Sequence, residues 1–152
     1  MSDFLTIDTH LDTPTTSLQR DGWDLGERHD RSADGSQCDL PRMQAGGLDA
    51  AVFALYVMQG ARTPAGFAAA HDLVAGYLDR TTAELHRLAA ACTLVRTADE
   101  ALAAKAAGRR AIFLSIENAY PLGLDVAGVG EWHRQGIRMV GLTHMLNNDV
   151  AD

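Results

Sequence analysis

The sequence has few of the features that mark secreted, membrane or nucleic-acid-binding proteins. Its 152 residues include only two cysteines, Cys38 and Cys92, which form neither a CxxC pair nor a disulfide framework. No window reaches the roughly 18 apolar residues of a membrane span, and the first residues do not resemble a signal peptide. Acidic residues outnumber basic ones by 20 to 13, and the net charge of −7 repels phosphate backbones and anionic lipids. We therefore expect a cytoplasmic protein with no nucleic-acid or membrane partner.

The composition is that of an ordinary globular domain. Hydrophobic residues make up 47% of the chain, charged residues 22% and aromatic residues 6%. A chain of 152 residues is long enough for one domain, but it is shorter than the ~250 residues of a complete (β/α)8 barrel. We find no repeat, low-complexity tract or linker, so we treat residues 1–152 as one unit with no internal boundary.

Short apolar runs alternate with helical patterns along the chain. The runs predict four strands, at residues 4–7, 48–57, 111–116 and 137–142. Helical spacing and capping residues predict helices at residues 40–45, 64–91, 97–107 and 126–135. The polar, glycine-punctuated stretch 15–37 is predicted to be irregular. This alternation favours a parallel α/β sheet, in which functional residues collect at the carboxyl ends of the strands.

Side chains that can bind metals or protons follow three of the predicted strands. His10 and Asp12 lie two residues apart after the first strand, and an imidazole beside a carboxylate suits a divalent metal such as zinc. Glu117 follows the third strand, and His144 follows the fourth. Each residue also has a structural explanation, such as a hydrogen bond between His10 and Asp12 or an ion pair at Glu117. Their coincidence at one edge of the sheet favours a catalytic site.

Four segments, in order along the chain, carry motifs of a known family. They are Ile-Asp-Thr-His-Leu-Asp-Thr-Pro at 7–14, Asp-Leu-Pro-Arg-Met-Gln-Ala-Gly-Gly at 39–47, Ser-Ile-Glu at 115–117, and Leu-Thr-His at 142–144 with Asn147. These segments resemble the motifs of the membrane (renal) dipeptidases, the M19 peptidases of the amidohydrolase superfamily. The resemblance spans the whole chain.

The resemblance implies an α/β fold of the (β/α)8 TIM-barrel type, of which this chain covers about the first four β/α units. It implies a binuclear zinc-dependent dipeptidase, a hydrolase that cleaves small dipeptides with a metal-activated hydroxide. His10 and Asp12 would bind one of two divalent ions, and Glu117 would bridge both as a catalytic carboxylate. His144 would contact the substrate and the developing oxyanion, and Asn147 would bind substrate.

The sequence also departs from the family pattern near these residues. Thr9, Leu11 and Thr13 replace the commoner Gly, Asn and Leu, and the pair Asn118-Ala119 replaces the usual Gly-Gly. The implied metal ligands are retained, so these departures bear on the shape of the pocket and on substrate preference.

The second half of the family's barrel has no counterpart here. That half supplies two further histidines, an aspartate for proton transfer and an arginine for the substrate carboxylate. The remaining histidines of this chain, at positions 29, 71, 86 and 133, lie in the early excursion or in predicted helices and are interpreted as structural. We expect the sequence to be the first part of a longer product, and the activity of the isolated 152-residue chain stays open.

Three alternatives remain open. An unpaired apolar strand at residues 137–142 would favour association, and a homodimer of half-barrels would cover it. The same metal chemistry would serve another amidohydrolase, such as a deacylase or lactonase. A non-catalytic half-barrel could instead bind a partner or a single metal through His10, Asp12 and Glu117.

Overall fold

The computed structural model describes residues 4–151, which form a parallel sheet with flanking helices. The strands are β1 (Ile7–Leu11), β2 (Ala50–Tyr56), β3 (Cys92–Leu94), β4 (Arg110–Glu117) and β5 (Ile137–Val140). The helices are α1 (Thr13–Thr16), α2 (Arg31–Asp34), α3 (Leu40–Ala45), α4 (Pro64–Arg87), α5 (Ala98–Ala106) and α6 (Gly128–Gln135), with a 3-10 turn at Tyr120–Leu122. None of the helices in this part of the chain combines the length and hydropathy needed to cross a bilayer.

The strands are ordered so that β1, β2, β4 and β5 form one continuous path of parallel neighbours. The strands β3 and β5 share the same edge of β4. The short strand β3 pairs with residues 110–112, and β5 pairs with residues 114–116. Because all pairings are parallel, the carboxyl ends of β1, β2, β4 and β5 lie at one edge of the sheet, where polar side chains can meet.

The core lies between the sheet and the long helix α4. Strand β2 is buried along its length up to Leu55, which is typical of a strand covered on both faces. Helix α4 contributes Val74, Leu78 and Leu85 to the same apolar cluster as Phe53. The helix begins where the sequence predicts, with Pro64 in its first turn and the Thr63 hydroxyl accepting a hydrogen bond from Gly66 N at 3.2 Å.

Two strands differ from the sequence-based prediction. The first strand spans Ile7–Leu11 rather than residues 4–7, because its pairing with β2 rests on backbone hydrogen bonds and not on a run of apolar side chains. The strand Cys92–Leu94 was not predicted, so the described residues contain five strands rather than four. Three residues carry too little periodicity to be recognised. The four predicted helices are present, with ends that differ by a few residues.

We expect Gly66→Ala to destabilise the protein and Gly76→Ala to stabilise it. A Cβ at Gly66 would collide with the Ala61 carbonyl oxygen and lie 2.6 Å from the Tyr120 hydroxyl, whereas a Cβ at Gly76 meets nothing within 4 Å. The free energy of unfolding should fall by about 1–3 kcal/mol in the first variant. It should rise by up to about 1 kcal/mol in the second, because alanine favours an α-helix over glycine. Urea unfolding followed by circular dichroism measures both, and equal effects would contradict the packing described.

We also expect Asp49 to make the stability of the protein depend on acid pH. Burial raises the pKa of Asp49, but hydrogen bonds from Lys105 Nζ at 2.8 Å and from Thr6 N at 2.9 Å outweigh it and hold the pKa at about 2. The folded pKa lies below the ordinary value of 3.8, so this stabilisation is present above about pH 4 and is lost as the pH falls towards 2. Asp49→Asn should therefore flatten the acid limb of a stability–pH curve. As the control, Asp72→Asn changes an exposed aspartate, and its stability–pH curve should match that of the unmodified protein.

Candidate metal centre

Strand β1 carries His10 and ends next to Asp12. The Asp8 carboxylate accepts a hydrogen bond from His10 N at 2.9 Å, and the register of β1 against β2 shifts between Asp8 and Leu11. Irregularities of this kind re-aim side chains at the end of a strand. His10 Nε2 lies 3.3 Å from Asp12 Oδ1, so the imidazole and the carboxylate form a contact at the edge of the sheet.

Glu117 is the last residue of β4, where it pairs with Tyr56 of β2. Its side chain is only 15% exposed, and its two oxygens face two different imidazoles. Oε2 lies 3.2 Å from His10 Nε2, and Oε1 lies 3.2 Å from His144 Nε2. The Glu117 carboxylate therefore stands between residues supplied by β1 and by the loop after β5.

The loop that carries His144 is held against the end of β4. Gly141 N donates to Ile116 O at 2.9 Å, and Ala119 N donates to Leu142 O at 3.2 Å. The buried side chain of Asn148 closes the same loop through donation of its Nδ2 to Leu142 O at 2.6 Å. Its Oδ1 accepts hydrogen bonds from the amides of residues 150 and 151.

Asn118 connects this loop to the one after β2. It has a φ of 71°, a left-handed conformation that asparagine tolerates better than most other residues with a side chain. Its Nδ2 donates to Val57 O at 3.1 Å, and its Oδ1 accepts from Asn148 Nδ2 at 2.9 Å. Sequence reasoning noted Asn118 only as a departure from the family motif and missed Asn148. The signal available for Asn118 was its position where the family has glycine.

The donor set suits a divalent metal ion. His10, Asp12 and Glu117 each offer one ligand atom, and these atoms all lie within 4.8 Å of one another. One imidazole nitrogen and two carboxylate oxygens are donors that zinc accepts, and catalytic zinc sites take three ligands from the protein. The two cysteines do not contribute, because both are buried and burial raises the pKa of each thiol to about 11.

The structure brings together four of the five predicted site residues. His10, Asp12, Glu117 and His144 form one group, which we call the carboxylate–histidine cluster. Asn147 is exposed on the His144 loop and makes no hydrogen bond to the cluster within residues 4–151. A cavity of about 300 Å³ adjoins the cluster on the sheet, with walls that include Ser115, Met139 and Thr143.

Comparison with known proteins places the sequence alongside one family. The family model described as membrane dipeptidase (peptidase family M19) matches residues 1–152. No curated protein sequence matches the chain.

Solved structures of similar fold agree with this match. The probable dipeptidase PvdM from Pseudomonas aeruginosa has a TM-score of 0.74 at 24% identity, over 97% of this chain and 36% of that one. The dipeptidase AC, a metallo peptidase of family M19, has a TM-score of 0.74 at 23% identity, over 93% of this chain and 43% of that one. A metallo peptidase from Rhodobacter sphaeroides, liganded with a phosphinate mimic of the dipeptide L-Ala-D-Ala, has a TM-score of 0.76 at 21% identity. This match covers 95% of this chain and 46% of that one.

These likenesses show the fold. The chain has an α/β fold of the TIM-barrel type and spans less than half the length of the structures it resembles.

We expect Asn148→Ala to destabilise the protein and to loosen the His144 loop. The change removes the two hydrogen bonds that Asn148 Nδ2 donates, to Leu142 O and Asn118 Oδ1, and the two that its Oδ1 accepts from the amides of residues 150 and 151. The free energy of unfolding should fall by about 1–3 kcal/mol. Asn147→Ala, at the exposed neighbouring position, should change it by less than about 0.5 kcal/mol. Urea unfolding of the two variants tests this, and similar losses would show that Asn148 does not hold the loop.

Proposed function

The chain belongs to the membrane dipeptidase family, peptidase family M19, and from this membership we propose that it forms the amino-terminal part of a metal-dependent enzyme that hydrolyses small dipeptides. The observation that carries the proposal is the position of Glu117 between His10 and His144. Family membership favours a dipeptide substrate over the esters or acylated amines of a lactonase or deacylase.

The metal ligands in this proposal are His10, Asp12 and Glu117, and the expected metal is zinc, with two ions per complete site. Glu117 is suited to a bridging position because its two oxygens already face opposite sides of the cluster. A carboxylate at that point offsets the mutual repulsion of two cations, which a neutral ligand does not. Ions bound here would supply Lewis acidity and a water of lowered pKa.

His144 is proposed to orient the substrate. Its Nε2 lies 3.2 Å from Glu117 Oε1, and its side chain is 38% exposed, so the imidazole is accessible beside the metal ligands. An N–H at Nε2 would donate a hydrogen bond to the oxygen of the scissile carbonyl, where negative charge develops during attack. Asn147, on the same exposed loop, is proposed as a further substrate contact.

Metal binding by the purified 152-residue chain provides the first test. We expect Glu117→Gln to weaken Zn²⁺ binding by at least about tenfold, because the change removes a charged ligand oxygen from the donor set. Binding should also weaken as the pH is lowered, since protons compete for the imidazole and the carboxylates. Isothermal titration calorimetry with Zn²⁺ measures both effects.

The matched control is Glu131→Gln, an exposed glutamate on α6 that removes the same charge away from the cluster. Equal Zn²⁺ affinity in the two variants would contradict the ligand assignment. The catalytic part of the proposal is tested with the natural protein, as its gene encodes it, on a panel of dipeptides. We expect hydrolysis that EDTA abolishes and that added Zn²⁺ restores. Absence of such hydrolysis would contradict the proposal.

A further inference from the structure

A second cavity, of about 220 Å³, lies beside the carboxylate–histidine cluster. It is formed between the end of β2, the residues that follow it, and the His144 loop. Its walls are mostly apolar and include Tyr56, Met58, Met145 and Leu146. The three aliphatic side chains are strongly exposed, at 72%, 83% and 59% respectively, so large apolar groups surround an accessible opening.

His144 forms a wall shared by the cavity and the cluster. Its Nε2 faces Glu117 Oε1 at 3.2 Å, while its ring lies edge-on to the Tyr56 ring at a centroid distance of 4.8 Å. Only the His144 ring would therefore separate this cavity from a molecule bound at the cluster. A side chain of that molecule can enter the cavity while the rest of the molecule stays at the cluster.

The size and chemistry of the cavity restrict what can occupy it. Its volume is below the ~300–1,000 Å³ of pockets that hold whole drug-sized ligands, so it suits one side chain. Among residues 4–151, no lysine or arginine lines it, and Glu117 lies behind the His144 wall, so an acidic side chain would find no basic Lys or Arg partner here. Thioether side chains such as those of Met58 and Met145 adapt to apolar groups of different shape.

Gln59 adds an acceptor that also disfavours carboxylates. Its Nε2 donates to Gly60 O at 3.1 Å, which fixes the orientation of the amide because a carbonyl oxygen can only accept. Its Oε1 is buried and has no hydrogen-bond partner among residues 4–151. A carboxylate carries no hydrogen to donate, so an acidic side chain in the cavity would leave this acceptor unpaired.

We propose that this cavity is a specificity subsite that selects an apolar side chain, of the size of leucine, methionine or phenylalanine, from one residue of the dipeptide substrate. The inference rests on the proposed function for the identity of the ligand, but it concerns residues outside the set of metal ligands. Acidic dipeptides are rejected, and dipeptides of alanine leave the cavity partly empty.

The methyl groups of Met58 and Met145 report directly on the cavity. The chain, labelled with ¹³C-methyl methionine, is titrated in metal-free buffer with L-Ala-L-Leu, L-Leu-L-Ala, L-Ala-L-Ala and L-Ala-L-Asp, so that no turnover consumes the probes. We expect one of the two leucine dipeptides to shift both signals with an affinity at least about tenfold higher than the alanine dipeptide. The aspartate dipeptide should cause no shift. Met43, buried in the core, is the internal reference.

A pair of variants completes the test. Leu146→Glu places a carboxylate in the cavity and should abolish the preference for leucine. Leu124→Glu, at an exposed leucine outside the cavity, should preserve it. The subsite is refuted if Met58 and Met145 do not respond to any dipeptide, or if they respond equally to leucine and aspartate. It is also refuted if they shift with protein concentration alone, which would show that a second copy of the chain covers the cavity.

These outcomes are independent of the Zn²⁺ titration of Glu117→Gln. If Glu117→Gln binds Zn²⁺ as the control does but the leucine preference is observed, the proposed function is overturned and the subsite is not. If Glu117→Gln weakens Zn²⁺ binding but no leucine preference is observed, the subsite alone is overturned.

Discussion

The arrangement of the strand ends depends on the partners of one carboxylate. Glu117 ends a buried strand, and its side chain is only 15% exposed. Removing a carboxylate from water is costly unless charged or hydrogen-bonding groups replace the solvent. His10 and His144 provide these groups at 3.2 Å each, and they come from β1 and from the loop after β5. Three separate parts of the chain therefore meet at one acidic side chain.

Uncharged contacts, in addition to the cluster itself, hold the loop that carries His144. Asn118 connects two loops. It donates to Val57 O in the loop after β2 and accepts from Asn148 in the loop after β5. Buried polar groups that are fully satisfied fix a single geometry, because any shift leaves a donor or an acceptor unpaired. These hydrogen bonds hold the loop that brings the imidazole near Glu117. Such preorganisation lowers the conformational cost of holding a substrate.

The sequence allowed the side chains of the carboxylate–histidine cluster to be predicted, but not the contacts that hold them. His10, Glu117 and His144 each follow or end a short apolar or β-forming run, and parallel strands bring such positions to one edge. Asn148 and the cavity beside Tyr56 depend on how two loops pack together, which no local pattern encodes. The strand Cys92–Leu94 was missed because it is short, and β1 was misplaced because backbone pairing with β2 stabilises its polar residues.

The number of donors limits what this part of the barrel can do with a metal. Catalytic zinc takes three ligands from the protein and leaves one position for water or substrate. His10, Asp12 and Glu117 offer three donor atoms within 4.8 Å of one another, which is the number that one such ion takes from the protein. Glu117 has a second oxygen for another ion, but among the described residues only His144 faces it. If His144 contacts substrate instead, a second ion requires donors from beyond these residues. The two metal positions would then differ in their affinity for the ion. The position at His10 and Asp12 would take its protein ligands from residues 4–151 alone, whereas the other would not.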